Sequence, residues 1–311
     1  MRVAFVGKGG SGKTTLAAAF AEYEAMQGRR VLALDADINQ HLAGALGFEG
    51  TLRSLGLEMD LVKAHLRGTN ARFTAEEMRK TTPPGGGSTF VTLADDDWFI
   101  DTYTQPTRAV RVAGAGEIPE GNVGVRCYHG LNGVVELVLG HMLDTPDETV
   151  VVDMTAGADA FSSSLFAKVD AMVLVVEPTL KSLSVRDQFA EHVEQHDLRL
   201  LVVANKVQDD DDRAFIEDRV GELAAVVGQS PVVRRRERGD TDVGLEDDED
   251  LLVELGKLAA ATAKIPRDWA LLERRSHALH SKNADDWMGA GAIRQIDTDF
   301  SLKEYATARG Y

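Results

Sequence analysis

The chain has 311 residues, 44% of them hydrophobic and 27% charged, with 50 acidic against 34 basic side chains. This composition excludes general disorder, and the length allows one large α/β domain or two small ones. The net charge of −16 argues against a surface built to bind nucleic acid or anionic membranes, and the single cysteine excludes an intramolecular disulfide. No apolar stretch reaches the ~18 residues of a membrane span and no secretion signal is visible, so we expect a cytoplasmic protein without a membrane partner.

Short apolar runs alternate with helical stretches along the chain. The helical pattern at Lys13–Gln27 is rich in alanine, and Gly28 is placed to end it. Strand patterns lie at Arg2–Val6, Arg30–Leu34, Thr149–Asp153, Ala171–Val176 and Leu200–Asn205. Near-continuous apolar runs separated by helices are typical of parallel strands covered on both faces. The sequence therefore predicts an α/β fold, a doubly wound and mainly parallel sheet flanked by helices.

Two parts of the chain depart from this alternation. The stretch of residues 51–124 is irregular, and we interpret it as an insertion with helices, loops and two strands, Thr89–Leu93 and Ala109–Val112. After Lys264 the alternation stops, but the aromatic content of residues 265–311 is too high for a free linker. We therefore predict a P-loop domain at residues 1–264 and a C-terminal extension at 265–311 that packs on the domain or on a partner. The acidic run Asp209–Asp212 predicts the start of a helix.

A glycine-rich segment joins the first predicted strand to the first predicted helix. It reads GKGGSGKTT and matches the P-loop pattern G-x-x-x-x-G-K-[ST]. Glycines allow backbone N–H groups to point at phosphates, and the helix N-terminus adds positive potential. We expect Lys13 to reach the β- and γ-phosphates and the Thr14 hydroxyl to ligate Mg²⁺. The predicted nucleotide-binding residues of this segment are Gly7, Gly9, Gly10, Ser11, Gly12, Lys13, Thr14 and Thr15.

Lys8 distinguishes this segment from an ordinary P-loop, which does not need a lysine at that place. With Lys8, the segment resembles the deviant Walker A motif K-G-G-x-G-K-[ST] of the MinD/ParA-type ATPases of the SIMIBI class. The resemblance implies a homodimer in the ATP state, with Lys8 crossing the interface to the partner's nucleotide as an arginine finger would. It also implies slow hydrolysis by a single protomer, because the catalytic geometry is completed only in the dimer.

Two predicted strands end in acidic residues that match the same family. Asp35 and Asp37 follow the second strand, at the edge where such a sheet binds its ligand. By resemblance Asp37 positions the attacking water and Asp35 supports the Mg²⁺ shell, while capping of the next helix is the alternative for both. The segment VVVDMTAG, which ends at Gly157, resembles the second acidic strand end. This likeness implies that Asp153 holds a Mg²⁺-bound water and that Gly157 moves towards the γ-phosphate.

The end of the Leu200–Asn205 strand is expected to face the nucleobase. In the family an asparagine at the place of Asn205 hydrogen-bonds adenine, and Lys206 follows it here. The GTP signature N-K-x-D would need an aspartate where this chain has Gln208, so the sequence favours ATP. Pro231–Val233 resembles the next strand, whose end adds contacts to the base.

Three further segments resemble the CooC-type nickel-insertion ATPases of carbon monoxide dehydrogenase maturation. They are Asp153–Asp159, Val169–Ala171 and Val176–Ser182, although the family's Glu and His are replaced by Thr155 and Ala160. That family carries a C-x-C pair that binds one metal ion between two subunits.

At the place of that C-x-C pair this chain has Cys127 and His129. Both are competent ligands, so two protomers would supply a Cys₂His₂ set for Zn²⁺ or Ni²⁺ at the dimer interface. The alternative for Cys127 is a small buried hydrophobe. The histidine pairs His192/His196 and His277/His280 share helix faces but lack a third ligand, and we expect them on solvent-exposed faces.

The resulting prediction is a dimeric Mg-ATP-dependent ATPase that acts as a nucleotide-switched maturation or metal-insertion factor for an unknown client. The alternative is a MinD/ParA-type positioning ATPase that binds a surface or partner in its ATP state. Against it, the C-terminal letters FSLKEYATARGY are weakly amphipathic, and Arg234–Arg238 is the one basic patch suited to DNA. A ligase of the dethiobiotin synthetase type would not need Lys8, and an iron-protein reductase needs two cysteines.

Overall fold

The structure is a computed structural model, which describes residues 1–117, 128–240 and 242–311. The strands in these residues are β1 (Arg2–Gly7), β2 (Arg30–Ala36), β3 (Gln105–Thr107), β4 (Val110–Gly114), β5 (Glu148–Met154), β6 (Ala171–Val176), β7 (Leu200–Asn205) and β8 (Ala225–Val227). The helices are α1 (Lys13–Met26), α2 (Leu42–Ala45), α3 (Met59–Arg67), α4 (Trp98–Tyr103), α5 (Tyr128–Gly140), α6 (Leu180–Gln195), α7 (Asp210–Val220), α8 (Pro231–Arg236), α9 (Glu249–Ala263), α10 (Trp269–Asn283) and α11 (Leu302–Thr307).

The described strands form one sheet in the order β3-β4-β2-β5-β1-β6-β7-β8. All neighbours are parallel except β3, which pairs antiparallel with β4. The central strands β1, β5 and β6 are buried along their whole length. Strands buried on both faces need apolar side chains at every position, which explains their unbroken hydrophobic runs. The predicted doubly wound, mainly parallel α/β sheet is confirmed.

Two hydrophobic cores cover the two faces of the sheet. Ala4 and Val6 of β1 point into one core, with residues of α5 and α6, whereas Val3 and Phe5 point into the other. The second core is formed largely by α1 and α9. The carboxyl ends of the parallel strands lie at one edge of the sheet. In the sheet register Asp35 of β2 lies opposite Asp153 of β5, so the two acidic strand ends meet at this edge.

The structure corrects two predicted strands and confirms a third. Thr89–Leu93 is not a strand, since only Val91 makes an isolated bridge, to Met142. The strand predicted at Ala109–Val112 is present as β4. Pro231–Val233 begins α8 instead of forming a strand, because Ser230 accepts the Val233 N–H at 3.0 Å and Pro231 occupies the first turn.

The C-terminal segment packs against earlier parts of the chain. Trp269, Leu302 and Ala306 form a small hydrophobic cluster with Leu143. His280 of α10 is fully buried, with Nδ1 3.0 Å from Thr81 Oγ1 and Nε2 3.0 Å from the Ala292 carbonyl oxygen. The expectation that this histidine is solvent-exposed is therefore wrong. The domain boundary at residue 264 stays a prediction.

Within the described ranges, no helix combines the length and the apolar character that crossing a lipid bilayer requires.

Candidate functional site

A cavity of about 630 Å³ opens at the carboxyl edge of the sheet. The loop between β1 and α1 forms its floor, and the segment after β2 forms one wall. The ends of β7 and β8 and one face of α8 form the opposite wall. The cavity therefore lies where ligands bind in open α/β sheets.

The loop between β1 and α1 has the backbone shape of an anion-binding loop. Gly12 has φ +92°, and a Cβ there would lie 2.2 Å from Asn205 Nδ2, so only glycine fits. α1 begins at Lys13 without a side-chain cap, which leaves its first N–H groups available to an anion. Ser11 Oγ is buried and has no hydrogen-bond partner in the described part of the chain. These features fit a bound phosphate chain.

Four predicted site residues meet at the mouth of this loop. Lys13 Nζ contacts the carboxylate of Asp37 and lies 3.7 Å from Asp153 Oδ1. Thr14 Oγ1 donates a hydrogen bond to Asp153 Oδ2 at 2.6 Å. Asp153 Oδ1 is buried and accepts no hydrogen bond from the described residues. A hydroxyl beside an under-coordinated carboxylate is the type of oxygen set that Mg²⁺ prefers.

Two acidic groups of the site, Asp153 and Asp35, have raised pKa values. Burial raises the pKa of Asp153 to about 6, against the lowering effects of Lys13 and the Thr14 hydroxyl. Burial, and then the nearby charge of Asp153, raises the pKa of Asp35 to about 8. Carboxylates crowded in a buried site resist ionisation unless a cation joins them. The electrostatics therefore favour a divalent cation next to Thr14 and Asp153.

Asp35 is engaged mainly by the backbone of the following loop. Its Oδ1 accepts the Asp37 N–H at 3.1 Å, and its Oδ2 accepts the Leu42 N–H at 2.8 Å. These contacts correspond to the capping alternative considered from the sequence, and they fix the loop that carries Asp37. The role of Asp35 in the Mg²⁺ shell stays a prediction.

Asn205 and Lys206 brace the phosphate-binding loop from the end of β7. Asn205 Nδ2 donates to the Ser11 carbonyl oxygen at 2.8 Å. Lys206 Nζ donates to the Gly10 carbonyl oxygen at 2.6 Å and to Glu177 Oε1 at 2.5 Å. Because its amide nitrogen is used in this way, Asn205 acts in the present arrangement as a support of the loop, and its contact with adenine stays a prediction.

Replacing Asn205 with alanine separates these two roles. We expect Asn205→Ala to weaken ADP and GDP binding by about the same factor, roughly tenfold, because the lost hydrogen bond supports the loop that binds phosphates of either nucleotide. Binding titrations with both nucleotides measure the effect, and the exposed neighbour Gln208→Ala is the control. Loss of ADP binding alone would instead assign Asn205 to the base.

The wall of the cavity that follows β8 was misplaced in the sequence prediction. It is lined by Val227, Gly228, Gln229 and Ser230 after β8, and by Val233, Arg234 and Glu237 on and after α8. The error followed from placing a strand at Pro231–Val233. The pair Ser230–Pro231 is typical of the start of a helix, and it indicates that the strand lies before Ser230.

The remaining predicted site residues are placed as follows. Lys8 is partly exposed, and its ammonium group makes no ion pair or hydrogen bond with the residues that the structure describes. Gly157 has φ +68° and begins a 3₁₀ turn, Gly157–Phe161.

The predicted transition-metal residues are only partly described. Cys127 lies outside the described residues, and His129 belongs to the first turn of α5. In the described ranges no cluster of three or more His, Cys, Asp or Glu is suited to a metal ion.

Comparison with known proteins agrees with this geometry. The sequence model of the CobQ/CobB/MinD/ParA nucleotide binding domain matches residues 3–241. The chain is 29% identical over 223 residues to an uncharacterised ATP-binding protein of Methanocaldococcus jannaschii, covering 71% of this chain and 80% of that protein. It is 28% identical over 224 residues to the carbon monoxide dehydrogenase accessory protein CooC of Rhodospirillum rubrum, covering 72% and 81%.

Two solved structures have the same fold. The cell division ATPase MinD of Pyrococcus furiosus superposes with a TM-score of 0.58 at 20% identity, covering 85% of this chain and 99% of that one. A ParA family ATPase from Chlorobium tepidum gives a TM-score of 0.56 at 15% identity, covering 84% and 98%. At these identities the likeness shows the fold alone.

Proposed function

This chain belongs to the CobQ/CobB/MinD/ParA nucleotide-binding family, and on that premise we propose that it is a Mg²⁺-dependent ATPase whose catalytic site is completed in a dimer. The main support for this proposal is that four side chains lie together at one phosphate-binding loop, namely Lys13, Thr14, Asp37 and Asp153. Binding of a nucleotide needs only the loop and Lys13. Hydrolysis also needs a group that positions water, and Asp37 is suited to this task.

The Lys13–Asp37 ion pair supports a simple sequence of events. In this pair the lysine ammonium is neutralised by Asp37. When ATP binds, its phosphates replace Asp37 as the partner of the Lys13 ammonium. The Asp37 carboxylate can then orient the attacking water. Thr14 and Asp153 would hold Mg²⁺, which when bound neutralises charge on the transferred phosphoryl group. Asp35 holds the backbone of the Asp37 loop in place throughout.

Replacing Asp37 with asparagine tests this assignment. We expect Asp37→Asn to bind ATP a few-fold more tightly, since Lys13 loses its competing anionic partner, and to lower kcat by about a hundredfold because a neutral amide replaces the carboxylate that orients the water. Single-turnover hydrolysis and nucleotide binding measure the two effects. Asp60→Asn, an exposed carboxylate in the first turn of α3, is the matched control. An unchanged kcat for Asp37→Asn would contradict the role.

We infer further that the ATPase cycle serves a metalloprotein client, as a maturation or metal-insertion factor. The name of the R. rubrum relative describes an accessory protein of carbon monoxide dehydrogenase. Cys127 and His129 at the place of the family's C-x-C pair support a metal shared between two protomers. α5, which follows Cys127, also contacts the site, because Asn132 Nδ2 donates to the Ala36 carbonyl oxygen at 2.8 Å.

Metal titration tests the client role. We expect wild-type protein with a non-hydrolysable ATP analogue to bind about one Zn²⁺ or Ni²⁺ per two protomers, and Cys127→Ser to lose that site, because a thiolate is the strongest ligand of the set. His277→Gln, which removes a histidine from α10, is the control. Equal stoichiometry in wild type and Cys127→Ser would contradict the metal role but leave the ATPase proposal intact.

A further inference from the structure

Helix α8 contains three consecutive arginines with different surroundings, Arg234, Arg235 and Arg236. Arg235 pairs with Asp240 at 2.7 Å on the surface, and Arg236 pairs with the buried Glu22 at 2.9 Å. Arg234 lines the nucleotide cavity and makes no ion pair with any residue that the structure describes. Of the three guanidinium groups, that of Arg234 is therefore the one available to a ligand in this cavity.

The contacts of Arg236 hold α8 in place. Besides the ion pair with α1, Arg236 donates to the Val243 carbonyl oxygen from Nε at 3.1 Å and from Nη2 at 2.9 Å. At the other end of the helix Ser230 accepts the Val233 N–H at 3.0 Å. Because both ends of α8 are attached, Arg234 projects from a fixed backbone. Binding a ligand then costs less entropy than it would on an unsupported loop.

The surroundings of Arg234 suit a flat group without net charge. We call the part of the cavity lining formed by Val227, Gly228, Val233, Arg234 and Glu237 the α8 wall. Val227 and Val233 supply apolar surface, and Gly228 has no side chain that could obstruct a ring. Arg234 and Glu237 contribute one charge of each sign, so the wall gives an anion no net attraction. An aromatic ring, in contrast, is attracted by the face of a guanidinium group.

The α8 wall lies in the same cavity as the phosphate-binding loop. The lining runs from Gly9 and Lys13 of that loop, past Asn205, to α8. The volume of about 630 Å³ lies within the range of sites that hold a whole small-molecule ligand. With the phosphates of a nucleotide on the loop, the α8 wall is left for its nucleoside part.

We propose that Arg234 stacks its guanidinium group on the nucleobase of the bound nucleotide, with Val227 and Val233 completing the base subsite. This inference rests on the proposed function, because it requires the phosphates to occupy the loop. Planar guanidinium groups stack on the faces of bases in proteins that bind nucleic acids. Such a stack depends on the area of the ring more than on its edge groups, so Arg234 favours a purine over a pyrimidine.

Replacing Arg234 with alanine tests the base contact. Full-length protein is titrated at fixed ionic strength with Mg-ADP and with Mg-pyrophosphate, which has a phosphate chain but no nucleoside. We expect Arg234→Ala to weaken ADP binding by about tenfold and to leave pyrophosphate binding within about twofold of wild type, because the lost contact is to the base. Arg235→Ala removes the same charge from the same helix outside the cavity, and it should bind both ligands as wild type does.

Two further substitutions separate stacking from charge. Arg234→Tyr restores a planar surface without the charge, and we expect it to recover most of the lost ADP affinity. Arg234→Lys keeps the charge without the planar group, and it should bind ADP about as weakly as Arg234→Ala. Recovery by lysine and not by tyrosine, or an equal loss of pyrophosphate binding in Arg234→Ala, would overturn the stack and assign Arg234 to the phosphates.

Photolabelling locates the base directly. We expect 8-azido-ADP, whose reactive group is on the base, to label residues 227–237 of wild type. Labelling confined to other residues, or equal ADP affinity in wild type and Arg234→Ala, would overturn the assignment. Arg234 is exposed, so its replacement leaves the core intact, and a cooperative unfolding transition checks this.

The wild-type titrations distinguish a failure of this inference from a failure of the proposed function. Wild type that binds pyrophosphate but binds ADP no more tightly would refute the base subsite alone. Wild type that binds neither ligand would refute the proposed function, and the base subsite with it.

Discussion

Replacing Lys8 with alanine should leave a protomer that still binds Mg-ATP but no longer dimerises with it, and should lower kcat by about a thousandfold. The structure provides the reason. The Lys8 carbonyl oxygen accepts the Ser11 N–H at 3.0 Å, and alanine preserves this contact and the loop. The ammonium group has no partner in the described ranges, so its removal costs the folded protomer little. A lysine at the edge of a phosphate-binding loop, with no partner among the described residues of its own chain, is suited to contact a second nucleotide.

Sedimentation with and without a non-hydrolysable ATP analogue measures dimerisation, and single-turnover hydrolysis measures kcat. Lys264→Ala, an exposed lysine at the end of α9, controls for the loss of one positive charge. Fluorescent-nucleotide binding tests whether the Lys8→Ala protomer still binds nucleotide. If this variant dimerises with ATP as wild type does, the action of Lys8 across an interface is refuted. Nucleotide binding and the role of Asp37 would be unaffected by that outcome.

Much of the sheet and of the phosphate site could be predicted because local sequence determines them. Ala171–Val176 and Leu200–Asn205 are strands with the predicted bounds, since a parallel strand buried on both faces must be apolar at each position. The P-loop is a contiguous motif, and Lys8 within it indicated the family that the comparison confirms.

The wall of the cavity that follows β8 was misplaced for a physical reason. β8 has only three residues, too few to show a hydrophobic period. The family resemblance therefore placed the strand at residues that form the start of α8. The burial of His280 likewise depends on Thr81 and Ala292, which no helical pattern of α10 predicts.

A buried charge cluster attaches the C-terminal segment to the amino edge of the sheet. Asp144 is almost fully buried and accepts hydrogen bonds from Arg2 Nε at 2.8 Å and Arg267 Nη1 at 2.7 Å. Arg267 also reaches Asp170 Oδ2 at 2.8 Å, and its guanidinium lies 4.6 Å from the centre of the Trp269 ring. Although burial alone would raise it, the charges of Arg2 and Arg267 hold the pKa of Asp144 well below its usual range.

Removing Arg267 from this cluster should therefore destabilise the whole protein. We expect Arg267→Ala to lower the free energy of unfolding by about 3–5 kcal/mol, because two buried carboxylates lose a shared cation and the ring of Trp269 loses the nearer of two guanidinium groups. Urea unfolding measures the change. Arg274→Ala, an exposed arginine on α10, should stay within about 0.5 kcal/mol of wild type.

The pH dependence distinguishes a lost ion pair from lost packing. A carboxylate whose folded pKa is depressed contributes stability that is present above its unfolded pKa and lost as the pH falls through the folded value. The difference between wild type and Arg267→Ala should therefore be constant from about pH 5 to 8 and shrink only in stronger acid, as Asp144 is protonated. A difference that persists undiminished in acid would assign the effect to packing on Trp269 alone. A difference no larger than that of Arg274→Ala would show that the C-terminal segment adds nothing to the stability of the sheet.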